Sequence, residues 1–376
     1  MQINVQFPQF QTLAFAVVFI TTLVLSTKKH IHTSFFPKSL TDELKGLAII
    51  LVVFSHIGYF LSADDSFLFP LSVFAGVGVN LFLFLSGYGL MTSSIKNKTS
   101  LLSHESNLSL VGFYKKKLLK IFFPLWVVLS VLLLLDWQFG NKIYPISTVV
   151  NSFLGWFPSA EIYQDLNSPL WYFSLILFYY LIFPLVSFRW LLFFSPGLIL
   201  FLSYLVVGLQ LPVKESMMQL YKLHLLAFPL GMVLALTVKT NLLKKLIKLP
   251  TIRRGSLGHH LAFVLMVVLV SYTAIYSGVG EGLRKEQLIS LIITGTWIGI
   301  FLLKPFRFNF LTLLGVYSYE IYLIHWPILY RYDFLYKMLP PFLATFIYLF
   351  FFIGISFLVQ KLAVSVYQKV NRSYIL

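Results

Sequence analysis

Eleven long apolar stretches follow one another along the chain, near 10–26, 46–62, 71–91, 120–137, 168–188, 190–211, 222–238, 259–277, 287–303, 310–331 and 341–360. A helix needs about 20 mostly apolar residues to cross the hydrocarbon core of a bilayer, and each stretch is close to that length. The rest of the chain cannot offset them. Apolar residues make up 58% of the 376, charged residues only 11%, and the mean hydropathy is +0.84. A water-soluble surface needs about 25% charged residues, so disorder, secretion and a free soluble enzyme are all excluded. The expected fold is all-α, a polytopic transmembrane helical bundle of about eleven spans.

A formal charge of +16 does not point to nucleic acid, because the Lys and Arg residues fall in short clusters between apolar runs. Such clusters orient membrane proteins, with the positive loops kept inside. An outside N-terminus puts 22 of the 29 basic residues on the inner side, among them Lys96, Lys115, Lys116, Lys244, Lys245, Arg253 and Arg254. Seven remain outside, where Asp64, Asp65, Asp136, Glu161, Asp165, Glu215, Glu281, Glu286 and Asp333 also fall. The C-terminus then lies in the cytoplasm. The fifth and sixth stretches are separated mainly by Arg189. The first has no Lys or Arg ahead of it and no small-residue cleavage site, so it reads as a retained helix. No internal repeat is visible, and the loops 92–119, 138–167 and 239–258 are too short for an appended domain. The chain contains no cysteine, which removes disulfides, thiolate metal sites and a thiol nucleophile. No metal is expected.

Ionisable groups within apolar spans are costly and are therefore candidates for function. His56 interrupts AIILVVFSHIGYF, near mid-depth of the second span, and His325 and Glu320 share SYEIYLIHWPIL in the tenth. Asn80 and Ser86 interrupt GVGVNLFLFLSGYGL. Each also has a structural reading. A membrane histidine can simply hydrogen-bond a neighbouring helix, Asn80 can join helices, and Ser86 with Gly87 can allow close packing. Glu320 can neutralise a buried cation. Ser318, Tyr322 and His325 share one helical face, which suits either a site or a packed seam. In FYKKKLLKIFFPLW, Lys117 and Lys120 lie one above the other and suit either membrane anchoring or a phosphate-bearing ligand.

Five segments, in order, resemble the acyltransferase 3 family of integral-membrane O-acyltransferases. They are DELKGLAIILVVFSH (42–56), GVGVNLFLFLSGYGL (76–90), KKLLKIFFPLW (116–126), NSPLWYFSLILFYYLIFPL (167–185) and YSYEIYLIHWPIL (317–329). In the first and third, Lys stands where the family usually has Arg. The resemblance leaves the first span outside, as an extra N-terminal helix and cytoplasmic linker over 1–37. Residues 38–376 become the membrane acyltransferase domain, with ten family-like helices.

The resemblance implies transfer of an acyl group, commonly acetyl, from cytoplasmic acyl-CoA to a hydroxyl of a cell-surface or exported glycan or glycolipid. It implies no bound cofactor, a plasma-membrane location, and His56 as general base or transient acyl carrier. Lys45, Lys117 and Lys120 would hold donor phosphates, with Asp42 one turn before Lys45 to fix it by an ion pair. His325 with Tyr322 and Ser318, and also Glu320, Asn80 and Ser86, would serve the acceptor side or support the other histidine. Trp171 suits either a sugar ring or the membrane interface. Two rivals stand beside this reading. One is a polysaccharide or lipid exporter that transfers no acyl group, which would also use an intramembrane His and Glu; the other is a scaffold without chemistry.

Overall fold

The structure, a computed structural model, describes residues 3–29, 36–62, 66–100, 110–140, 142–159, 166–187, 191–209, 211–239, 257–275 and 283–372. Asp64, Asp65, Glu161, Asp165, Arg189, Lys244, Lys245, Arg253, Arg254 and Glu281 of the charge count lie outside the described residues. The described chain is nearly all helix. Among the described residues, seven helical segments are long and apolar enough to cross a membrane: Pro8–Leu25, Ala75–Lys96, Gly112–Gly140, Ser168–Val186, Glu215–Val238, Leu283–Leu303 and Pro341–Ser365. The protein is a multi-pass helical membrane protein.

The chain divides into two compact units. The first comprises Met1–Thr99, Lys222–Ser318 and Leu335–Phe346. Its centre is α2 (Lys38–Tyr59), which follows α1 (Pro8–Leu25). The second apolar stretch, 46–62, understates the start of α2 by two turns, because those turns carry Lys38, Asp42, Glu43 and Lys45. Of these only Glu43 is buried, and partners from a distant segment cover it. Glu43 is 1% exposed and meets Lys304, 3% exposed, at 2.5 Å. The Glu43 carboxylate also accepts the Phe308 backbone N–H at 2.6 Å, and the Lys304 ammonium donates to the Phe306 carbonyl at 2.9 Å. The ammonium lies 4.6 Å from the ring centres of Phe301 and Phe308. Here β2 (Phe306–Phe308) pairs antiparallel with β1 (Thr27–Lys29).

Close crossings lock the rest of this unit. A Cβ on Gly46 would run into the Leu311 carbonyl, and one on Gly315 into the Asp42 carbonyl. Both glycines therefore let α12 (Asn309–Val316) lie backbone to backbone with α2. A second reciprocal pair, Gly87 against Phe228 and Gly231 against Phe84, joins α3 (Ala75–Ser100) to α9 (Ala227–Lys239). Phe15 and Phe19 of α1 meet Phe54 edge-on at 5.2 and 6.2 Å. The helix α10 (Leu257–Ile275) contacts α11 (Leu283–Leu303) and leaves Leu261, Val264, Leu265 and Val268 exposed, as a lipid-facing surface would.

The second unit comprises Ser100–Tyr221, Tyr319–Phe334 and Ile347–Leu376. It contains α4 (Leu110–Gly140), α5 (Ile146–Phe153), α6 (Trp171–Val186) and α7 (Ser195–Gly208). The segment 138–167, expected as loop, thus holds the two-turn helix α5. Most of α13 (Ser318–Tyr330) belongs here too. The tenth apolar stretch is broken at Tyr317, and the seventh is broken between α8 (Glu215–His224) and α9. Pro229 explains the second break. In a continuous helix its ring would clash with the Leu225 carbonyl, whereas the first turn of a new helix accepts it.

Candidate active site

From Glu43 to Ile57, every residue of α2 is buried except Lys45 and His56. They are eleven residues apart, which at about 100° per residue returns almost to the same face, roughly 16 Å along the axis. Between them Ile49 and Val52, which share that face, are 1% and 4% exposed. Helix α2 is therefore a buried rod with one part-exposed cation near its start and one part-exposed imidazole in its last turn. The His56 ring lies 5.9 Å from that of Tyr59. Asp42, one turn before Lys45, holds its ammonium at 3.4 Å. This fixes the lysine's direction more than it stabilises the fold, because a part-exposed pair is worth little.

Asn80 is fully buried. Its Nδ2 donates to Ser290 Oγ at 3.0 Å, and its Oδ1 meets His224 Nδ1 at 2.8 Å, so the imidazole donates there. Asn80 joins α3, α8 and α11 within the first unit. Ser86 stays part-exposed beside Gly87, which makes the close approach.

In the second unit, His325 is fully buried and its Nδ1 lies 3.0 Å from the Ile321 carbonyl and 2.9 Å from that of Tyr322. Carbonyls only accept, so Nδ1 carries the proton and Nε2 holds the lone pair. The Tyr322 hydroxyl donates to the Pro169 carbonyl at 2.6 Å, and its ring lies 6.3 Å from His325. Tyr319 donates to the Ile121 carbonyl at 2.5 Å. Glu320, 6% exposed, accepts a hydrogen bond from Gln360 and experiences the charge of Lys120. Lys120 itself is exposed, while Lys117 lies partly buried with its ammonium 5.9 Å from the Tyr180 ring centre. Trp171 lies 6.3 Å from the rings of Tyr172 and Tyr221. Ser318, assigned to the first unit, spends its hydroxyl on the Gly315 carbonyl at 2.9 Å.

Several groups that bear on the site escaped the sequence reading. Glu43 and Lys304 are 261 residues apart, and no local pattern links them. His224 has no signal beyond a polar side chain in an apolar run. A buried cluster surrounds Asp136 (2% exposed), whose carboxylate accepts from Arg331 at 2.5 Å, Tyr332 at 2.5 Å and Tyr144 at 2.8 Å. Arg331 also donates to the Leu166 carbonyl. Burial pushes the Tyr144 phenol up, so it stays protonated and donates.

A family model described as an acyltransferase domain, acyltransferase 3, matches residues 42–361. The chain belongs to this acyltransferase family. The match opens at Asp42, the residue that holds Lys45, and takes in both units. No curated protein and no solved structure matches the chain. Acyl transfer within a multi-pass membrane protein is therefore the chemistry that the two part-exposed residues of α2 must be read against.

Proposed function

We propose that this acyltransferase moves an acyl group, in the first instance acetyl, from cytoplasmic acyl-CoA to a hydroxyl of a cell-surface or exported glycan, with His56 as the base. The observation that carries the reading is the selective exposure of Lys45 and His56 on an otherwise buried helix. An alcohol is a poor nucleophile near neutral pH and needs a base whose pKa lies near that of the medium, which is what imidazole supplies. His56 takes the hydroxyl proton as the oxygen attacks the thioester carbonyl. The carbon–sulfur bond then breaks, and the imidazolium returns the proton to the departing CoA sulfur. A two-step route, in which the imidazole first accepts the acyl group and then gives it to the alcohol, uses the same residue.

Lys45, Lys117 and Lys120 are the cations for the donor's phosphates, Lys45 being oriented by Asp42. Each is a point charge without the two-pronged geometry of arginine, so the donor is held by charge more than by shape. The buried imidazole of His325, tied to its own helix through Nδ1, supports the acceptor side together with Tyr322. A plasma-membrane location, with the N-terminus outside and the C-terminus in the cytoplasm, fits the distribution of basic residues.

The test is acyl content. Surface glycans from cells with and without the protein are compared by mass spectrometry after supply of labelled acetyl precursor. The proposal expects label on the glycan only when the protein is present. Unchanged glycan acylation together with loss of glycan at the surface would favour the exporter instead.

A further inference from the structure

The segment ahead of α2 lies outside the acyltransferase match, which opens at Asp42, yet it is stitched into the first unit at three places. At one end, Ser26 caps α12. Its carbonyl accepts the Asn309 N–H at 3.1 Å and its hydroxyl the Phe310 N–H at 3.3 Å. These are first-turn donors that a helix cannot satisfy by itself. In the middle, the rings of Phe15 and Phe19, 2% and 8% exposed, meet Phe54, which is fully buried. At the other end, Ile3 pairs in parallel with Leu61. The Ile3 N–H donates to the Phe60 carbonyl at 2.6 Å, and the Ile3 carbonyl accepts the Ser62 N–H at 3.0 Å.

Two of these contacts close on the turn that carries His56. Phe54 and His56 are two residues apart, about 200° round the helix, so the α1 rings press on the back of α2 behind the imidazole. Phe60 caps α2. The residue before it, Tyr59, carries the ring that lies 5.9 Å from that of His56. A clamp on Phe60 therefore fixes where the Tyr59 ring and the imidazole stand. A membrane anchor needs none of this: apolar side chains such as Leu13, Val17 and Ile20, all exposed on α1, suffice for that.

We infer that the segment 3–26 is a positioning element of the active site: Phe15, backed by Phe19, and the Ile3 backbone hold the last turn of α2 so that His56 stands ready for the hydroxyl proton. These residues act through α2 and are not catalytic. The inference rests on His56 as the base proposed above.

The test uses the full-length protein in lipid nanodiscs, with Phe15→Ala, Ile3→Pro and their conservative counterparts Phe15→Leu and Ile3→Val. Ile3→Pro removes the N–H that holds Phe60 and leaves the aromatic contacts alone, so it decides if Phe15→Ala does not fold. Hydrogen exchange of the backbone and reaction of His56 with diethylpyrocarbonate, both read by mass spectrometry, report the last turn without reference to activity. In Phe15→Ala and Ile3→Pro, exchange over 54–61 is expected to rise at least roughly tenfold against an unchanged 43–50, and modification of His56 to speed up. In an active parent, kcat per folded protein is expected to fall roughly tenfold at an unchanged KM for acetyl-CoA, since a misplaced base slows the chemical step and not donor capture. Phe15→Leu and Ile3→Val should restore all three. Parental exchange and modification in well-folded Phe15→Ala and Ile3→Pro would overturn the inference, as would an equal rise over 43–50, the mark of plain destabilisation. Altered exchange at the parental kcat would overturn it too. A parent that transfers no acetyl group to glycan, but whose variants show the exchange and modification changes, would refute the acceptor reading and leave the positioning in place.

Discussion

Lys45 and His56 are the two uncovered residues of α2 between Glu43 and Ile57, and they share one face of that helix. A part-exposed cation and a part-exposed imidazole on the same otherwise buried rod are hard to explain by packing, which would favour apolar groups at both places. A donor that enters head-first has its phosphates and its reactive thioester at opposite ends.

Removal of the Lys45 charge should weaken donor capture and leave the chemical step alone. For Lys45→Ala, KM for acetyl-CoA is expected to rise roughly three- to tenfold, the modest range set by solvent screening of a part-exposed charge. Lys45→Arg should keep KM near its parental value, and Asp42→Asn should fall between. Initial rates against acetyl-CoA concentration measure all three, and a fall in kcat with unchanged KM would remove Lys45 from the donor's path.

The Gly46–Leu311 and Gly315–Asp42 contacts predict a sharp difference among glycines. Gly46→Ala and Gly315→Ala each drive a methyl group into a backbone carbonyl, and overpacking of this kind costs about 1–3 kcal/mol or more. Gly89 has nothing within 4 Å of the same methyl position, so Gly89→Ala should be neutral or slightly stabilising. Thermal unfolding of the three purified variants checks the order.

Glu43 and Lys304 should behave as a unit. Glu43→Gln strands a buried ammonium, with an expected cost of about 3–5 kcal/mol, and Lys304→Met strands the carboxylate in the same way. The double variant should recover much of that loss, since replacement of both charges removes the need to bury either. A double-mutant cycle on unfolding midpoints tests this, and simple additivity would contradict the pairing.

Much of this architecture could be read from hydropathy, and the reason is physical: lipid leaves a backbone little choice but the helix, so long apolar runs become spans. His56 stood out because an imidazole inside such a run is costly, whereas Asp42 and Lys45 were singled out only through the resemblance to the family's opening motif. The pairing of Glu43 with Lys304 was not, since the two residues meet only after α2 and the segment after α11 have come together. The same holds for Asn80 with His224 and Ser290. The start of α2 was hidden by its own polar residues, one of which, Glu43, is buried only through distant partners. The break before Pro229 follows from local proline geometry. A hydropathy window averages such a detail away.

Asn80→Leu should expose the hidden network. His224 and Ser290 would each lose a buried partner, with an expected loss of about 1–3 kcal/mol, whereas Ser86→Ala on the same helix should cost far less. Unfolding midpoints of the two variants give the comparison, and equal effects would remove Asn80 as a structural joint.

One imidazole, that of His56, carries the proposed chemistry. Membranes with equal amounts of parent, His56→Ala and His56→Gln protein are supplied with labelled acetyl-CoA and a surface-glycan acceptor, and label on the glycan is counted. Loss of a general base predicts a fall of at least roughly a hundredfold in both variants, with melting temperatures near that of the parent. Transfer at the parental rate by a well-folded His56→Ala protein would contradict the account.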